Sequence, residues 1–322
     1  MKILFNRNNS IGIFCLLLLL AVGAVSCIKD EYAESKEKAT VQVTFMTRAV
    51  SDGTIVGNEL ADNEQMKTLR VIVTKDGKIL YNEYYTENDF AQYDNGQRYK
   101  TVTFSELVTK DEADRTFVFY AIANEAGTGY NDWADISIST LESRTISKSF
   151  NSSSLIPQTA KKEITVKIAQ EGDGIQKETM QLEFVVAKIN TQITNNTGNL
   201  VLVEDVILTG AKAAGISLFP VENGTGAFTP YDDLTMDNFN VASGETESKT
   251  FYVFPGSLST ITGNWGNTQI TKISDDIISQ YNRGTLLNIN ITLSSVAEQV
   301  TVDLEWAVAD WDDDAIEVPP FN

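Results

Sequence analysis

Two residues have a type and placement that point to covalent chemistry, Cys27 and Arg48, and both lie near the amino-terminal end. Lys2 and Arg7 precede an apolar run from Ile11 to Val25, and the small residues of Ala24-Val25-Ser26 lead into Cys27. This is the layout of a signal peptide over residues 1–26, too short and wrongly flanked for a stable membrane span. Cleavage before Cys27 leaves a cysteine at the new amino terminus, the position at which bacterial lipoproteins carry their acyl chains. Palmitate-type chains there hold a protein at a membrane surface. Between the two residues Val41, Val43 and Phe45 alternate with Gln42, Thr44 and Met46, the period of a half-buried strand. Arg48 ends that strand, and the loose stretch Ala49-Val50-Ser51-Asp52-Gly53-Thr54 after it is open to an Arg-specific protease cutting between Arg48 and Ala49. Residues 27–48 then read as a propeptide. Its loss from a sandwich exposes apolar surface and unpaired backbone that another chain's strand can fill; if it is kept, the strand completes its own sheet.

Most other chemistry is excluded by composition. The only cysteines, Cys15 and Cys27, lie in the leader region, and the chain has no histidine. The body therefore has no disulfide, no thiolate or imidazole metal site, no cysteine nucleophile and no Ser-His-Asp arrangement. The reading is a non-enzyme without a cofactor. Residues 1–48 hold six Lys/Arg against four Asp/Glu, so the net −19 of the whole chain becomes −21 beyond Arg48. Nucleic acid is a poor partner for such a surface.

The remaining length suffices for two domains with full cores. Short β-branched and aromatic runs follow one another, among them Leu69 to Val73, Tyr99 to Phe104, Thr116 to Ile122 and Glu163 to Ile168. Turn formers such as Lys75-Asp76-Gly77-Lys78 separate them. The polar, flexible Gln170-Glu171-Gly172-Asp173-Gly174 breaks the pattern and sets a boundary, giving domains at 49–172 and 173–322. Strands resume at Met180 to Ile193, Val201 to Leu208, Thr250 to Phe254, Leu286 to Leu293 and Val300 to Val308. Only Asp276 to Tyr281 and the stretch near Asp132 read as brief helix. The fold class is all-β, with antiparallel sandwiches.

Three further groups have bland explanations. Asp310, Asp312, Asp313 and Asp314 flank Trp311 and offer hard oxygen ligands for calcium, but they lack the glycine and distal glutamate of an EF-hand loop and suit a solvated acidic turn after an edge strand. No metal site is assigned. Gly224-Thr225-Gly226 and Gly263-Asn264-Trp265-Gly266 lack the spacing and context of phosphate loops and read as turns. Trp265 and Tyr252 would suit sugar stacking, or a core.

Taken in order along the chain, the lipobox with Cys27, the strand ending at Arg48, Leu69-Arg70-Val71-Ile72-Val73, Phe119 to Glu125, Leu155-Ile156-Pro157-Gln158, Val186-Ala187-Lys188-Ile189, Phe251 to Pro255 and the Trp306 to Phe321 tail resemble the fimbrillin family, the major subunits of type V pili. The resemblance covers nearly the whole length. It implies two tandem transthyretin-like Greek-key sandwiches, lipoprotein export, cleavage after Arg48 and strand exchange with other copies and related pilus subunits. Lys29-Asp30-Glu31 resembles the acidic signal that sends such lipoproteins to the outer face of the outer membrane. The donor strand is expected in the tail, with Ile316, Val318 and Phe321 as its apolar residues, although Pro319 and Pro320 limit it. Arg48 argues for a stalk subunit. The competing class is a surface lipoprotein that does not polymerise: a fimbrial anchor or tip, or a module binding glycan or protein. Replacing the acylated residue, Cys27→Ala, should abolish incorporation of labelled fatty acid and strongly reduce the surface-exposed protein, as read by metabolic labelling and surface proteolysis.

Overall fold

The computed structural model describes residues 39–47, 50–51, 54–55, 60–93, 97–108, 114–167, 175–220, 228–230, 234–266, 268–296 and 299–311. Its longer strands are β1 Ala39–Met46, β2 Thr68–Lys75, β3 Lys78–Thr86, β4 Arg98–Val108, β5 Arg115–Ala123, β6 Gln158–Val166 and β7 Gln176–Gln181, followed by β8 Ala187–Asn195, β9 Val201–Ala213, β10 Thr246–Val253, β11 Gly256–Trp265, β12 Thr268–Tyr281, β13 Thr285–Val296 and β14 Gln299–Asp310. One short helix, α1 Ile138–Ser143, starts where the Ser137 hydroxyl accepts the Thr140 N–H at 3.2 Å. The all-β class expected from sequence is what the chain adopts.

The first sandwich packs the sheet β7-β1-β4, extended by Ala91–Gln92, against the sheet β6-β5-β2-β3, whose far edge is Glu183–Phe184. One core joins them: Val41, Val43, Phe45, Val102, Phe104 and Met180 from the first sheet meet Leu69, Val71, Val73, Phe117, Phe119, Ile164 and Val166 from the second. In the second sandwich the sheet β10-β8-β13-β14 faces the sheet β9-β11-β12 over Ile189, Ile193, Leu287, Ile289, Ile291, Val203, Leu208, Ile261 and Trp265. Alternation along β8 and β13 supplies one face of that core. The Asp76-Gly77 turn between β2 and β3 has positive φ at both residues, 49° and 73°, as its sequence predicts.

Two findings depart from the sequence reading. Each sandwich contains one parallel pair, β1 with β7 and β8 with β13, so one sheet of each sandwich is mixed rather than antiparallel. In both cases the first strand of the half is inserted between strands formed much later in the chain, which no local pattern reveals. Asp276 to Tyr281 is strand, not helix. It forms the end of β12, with Ile278 opposite Leu258 and Tyr281 opposite Gly256, where pairing with β11 overrides a local helical preference. The polar break near Gly172 lies outside the described residues; on its carboxyl-terminal side, β7 and Glu183–Phe184 still pair within the first sandwich.

A third core joins the two halves. Ile72, Tyr120 and Ile122 on the outer face of the β2–β5 sheet meet Trp133, Leu141, Ile146 and Phe150 of the connecting segment and Leu218, Phe219, Tyr252, Phe254, Leu286 and Trp311 of the second half. Glu64 is fully buried in this seam. Its carboxylate accepts from Lys188 Nζ at 2.7 Å, the Tyr252 hydroxyl at 2.7 Å and the Ala61 N–H at 3.0 Å. Burial, then the nearby Glu64 charge, push the Tyr252 hydroxyl well above the usual phenol range, so it stays a donor. Glu64→Gln leaves the Lys188 ammonium in the seam without its counter-charge and should lower stability by about 3 kcal/mol, measured as a shifted denaturation midpoint with an unchanged slope.

Candidate functional site

Among the features expected for export, cleavage and strand exchange, the strand preceding Arg48 is the one within the described residues. Val41, Val43 and Phe45 are completely buried. β1 is an interior strand, running parallel to β7 from Val41↔Gln176 to Met46↔Gln181 and antiparallel to β4 from Val41↔Phe104 to Met46↔Tyr99. Its other face is polar and tied to β4 by Thr44 Oγ1 and Thr101 Oγ1, 3.0 Å apart, and by Gln42 Nε2 donating to Thr103 Oγ1 at 3.5 Å. The carboxyl-terminal end is pinned as well: the Leu182 N–H donates to the Met46 carbonyl at 2.8 Å, and Gln97 Nε2 donates to Thr47 Oγ1 at 2.9 Å.

Neither partner of β1 is a sequence neighbour. Its contacts with β4 join residues 57 and 61 apart, and β7 is more distant still. The strand belongs to no hairpin, so it can leave without breaking any local unit and would leave β4 and β7 as the walls of an open slot. Burial of its three apolar side chains contributes about 1.5–3 kcal/mol each. Their sum approaches the whole stability of a typical domain, roughly 5–15 kcal/mol. An emptied slot must therefore be refilled or collapse.

The slot is sharply graded along its length. Beside Val41 stand Phe104 and Gln176, beside Val43 stand Val102 and Glu178, and beside Phe45 stand Met180 and Lys100. Two charged residues are present, and both are turned to partners of their own. Lys162 Nζ donates to Glu178 at 2.9 Å and, as the largest cause, holds that carboxyl below its ordinary range. Lys100 Nζ donates to the Asp89 carbonyl at 3.1 Å and lies 4.5 Å from the Tyr85 ring centre, which leaves its aliphatic stem along the slot. Burial, then the Tyr81 hydroxyl bonded at 2.5 Å, raise Tyr85, so no anionic phenolate arises near that ammonium.

Cys27, Arg48, Ala49, Ile316, Val318 and Phe321 lie outside the described residues, as do both cysteines of the chain. The tail's root is fixed all the same. Trp311 is buried in the seam, its ring stacked on Phe184 at 3.8 Å and on Tyr252 at 5.9 Å, and its backbone N–H donates to the Gly284 carbonyl at 2.6 Å. Asp312, Asp313 and Asp314 and the side chain of Asp310 also fall outside, and no cluster of three potential ligands occurs among the described residues. Trp265 and Tyr252 sit in different cores, so they form no sugar-stacking platform. Gly263 is within strand β11, and Gly224 to Gly226 are outside the description. Sequence reasoning missed β7 as a wall of the slot, because Gln176, Glu178 and Met180 alternate too weakly in polarity to announce a face. Truncating the largest inward residue of β1, Phe45→Ala, should cost about 3–5 kcal/mol in the uncut chain, seen in denaturant unfolding.

No family model matches the sequence, and no curated protein matches it. Solved structures do resemble the fold. A fimbrial assembly protein from Parabacteroides distasonis superposes with a TM-score of 0.50 at 15% identity, covering 87% of this chain and 98% of its own. A fimbrilin from Porphyromonas gingivalis gives 0.48 at 14% identity over 84% of this chain and 97% of its own, and the tip fimbrial protein Mfa3 from the same organism gives 0.46 at 12% identity over 84% and 100%. The fold expected from the sequence resemblance is thus the fold found: the chain carries a fimbrillin-type fold, shared over nearly its whole length with the Parabacteroides fimbrial assembly protein.

Proposed function

We propose that this chain is the structural subunit of a cell-surface fimbria. It is exported as a lipoprotein acylated at Cys27, carried to the outer membrane, cut between Arg48 and Ala49 by an Arg-specific protease, and joined to other copies and related pilus subunits by a strand entering the β1 slot. One observation carries this reading: β1 is an interior, fully buried strand with no local partner, and the sole basic residue near its end, Arg48, follows it by two positions. Cutting there releases a strand and no other element. The resulting slot, with apolar floor and two walls of unpaired backbone, is complementary to an extended strand. Proteins bearing this fold include fimbrial assembly proteins, which agrees with the reading.

A subunit that kept β1 would instead be a self-complemented anchor, tip or ligand-binding lipoprotein; the thorough pinning of Met46 and Thr47 by Leu182 and Gln97 favours that second reading for the uncut form. The two readings differ in one residue. Arg48→Ala should yield a longer, lipid-retaining chain that stays monomeric, where the wild type begins at Ala49 and forms a ladder of multimers in unboiled gels. Amino-terminal sequencing of surface material decides this: filaments of undiminished length from the variant would remove Arg48 from maturation.

A further inference from the structure

A second strand of the first sandwich, β3, presents an open edge to solvent. We infer that β3 pairs antiparallel with β3 of a second copy of this chain about a two-fold axis at Asn82, and that this contact joins fimbriae side by side. The joining of fimbriae rests on the proposed function above; the pairing of two chains does not.

β3 ends its sheet, with β2 on one side and no strand on the other among the described residues. A free edge of nine residues is a template for another strand unless side chains guard it. The other long edge strands whose side chains are described carry exposed charge: Lys177 on β7, Glu247 and Lys249 on β10, and Asp303 and Glu305 on β14. β3 has Lys78 at its first position and Glu83 further on, but it is the one strand of these four with two large exposed hydrophobics, Leu80 at 52% and Tyr84 at 43%. Leu80 is the extra residue of a bulge, unpaired where β2 passes from Val73 to Thr74. Tyr84 lies opposite Arg70, whose guanidinium sits 5.2 Å from its ring centre. Neither side chain belongs to a core.

The occupant follows from the strand itself, because Leu80-Tyr81-Asn82-Glu83-Tyr84 is complementary to its own reverse about Asn82. In that frame Leu80 stands opposite Tyr84 of the second copy, and Tyr84 opposite its Leu80, so each exposed hydrophobic covers the other twice over. Lys78 comes beside Thr86 and the half-exposed Glu87 of the second copy, and unlike charges meet at both ends of the ribbon. Neighbouring frames fail. An axis at Glu83 sets that carboxylate against its own copy, and an axis at Tyr81 leaves Leu80 and Tyr84 opposite the polar Asn82 and Lys78. An axis between residues would turn the core face of one strand to the outer face of the other. Lys78 and Glu83 cancel, so an otherwise strongly acidic body meets its copy here with little local repulsion; Asp132, near the Asn82 amide, is held by Arg144. A ribbon of two strands buries less than a standard interface of roughly 1,600 Å², so single subunits pair weakly. A fibre presents β3 once in every subunit, and weak pairs add along its length.

The test uses the uncut chain freed of its leader, with Cys27→Ser so that no native thiol remains, and two variants of it, Leu80→Cys and Tyr84→Cys. In the inferred frame position 80 faces position 84 of the second copy, whereas the two positions 80 lie about 13 Å apart, beyond the reach of a disulfide. Mixing the two variants under mild oxidation should therefore give a covalent dimer at least about tenfold faster than either variant alone. Sedimentation equilibrium of the chain without either cysteine should show a monomer–dimer equilibrium at high concentration. Leu80→Lys, with an unchanged unfolding midpoint, should abolish it, and in electron micrographs fibres of that variant should lie singly where those of the parent lie side by side. A mixture that cross-links no faster than its components, or a chain that stays monomeric at every concentration, would overturn the pairing. Dimers from a protein that forms no fibres would overturn strand exchange and leave the pairing standing, and Leu80→Lys fibres bundled as before would remove β3 from bundling.

Discussion

The first sandwich depends on one arrangement, the insertion of β1 between β4 and β7. Take that strand away and the sheet loses its middle: β4 keeps only the two-residue partner Ala91–Gln92, β7 loses its partner in the sheet, and the floor formed by Leu69, Val71, Phe117, Phe119 and Val166 loses three buried side chains. Backbone amides and carbonyls facing an apolar slot are costly when unpaired, so the slot strongly favours being occupied by some strand. That necessity is separate from the identity of the strand. The sandwich requires two-sided pairing and three inward side chains of the right bulk; covalent attachment to β2 is not among its requirements.

The seam between the halves answers a different need. Strand replacement in the first sandwich would loosen the second if the two shared a core through β1, yet the third core takes its residues from the outer face of the β2–β5 sheet and from the connecting segment. None comes from β1. Glu64, Lys188 and Tyr252 fix the two halves in one relation by charge and hydrogen bonds, Arg283 reinforces it through Glu183 at 3.0 Å and Thr159 at 2.7 Å, and Trp311 closes the stack. Burial lowers the Arg283 guanidinium from its ordinary value, a cost that these close partners offset. The seam thus does not depend on which strand fills the slot.

Much of this was legible in the residues. The alternation from Val41 to Phe45 marked a strand with a buried face, and the Asp76-Gly77 turn and the runs around Leu69 and Phe117 marked the neighbouring sheet, because in these places local propensity and final environment agree. Parallel pairing was not legible. Gln176, Lys177 and Glu178 lie between the polar break and the strands expected to follow it, and they form a strand because β1 offers them an open edge. The same holds for Asp276 to Tyr281, whose helical look yields to pairing with β11. Non-local partners decide both, and a single sequence carries no record of them.

The topology also bears on the order of events in folding. Every contact of β1 closes a long loop, whereas β2 with β3 is a tight hairpin and β5 pairs with both β2 and β6. Loop-closure entropy makes the non-local strand the late arrival, so β2, β3, β5 and β6 would pair before β1 enters, and β7, whose partner in the sheet is β1, would pair after it. A precursor whose own strand sits beside the slot refills it at an effective concentration no free partner can match. Under the proposed cleavage after Arg48 that advantage would end, because β1 would then be held by pairing alone, with no covalent route back once it left. On this account a single hydrolysed bond converts a self-closed subunit into one open to exchange, without any change in the contacts that the structure itself makes.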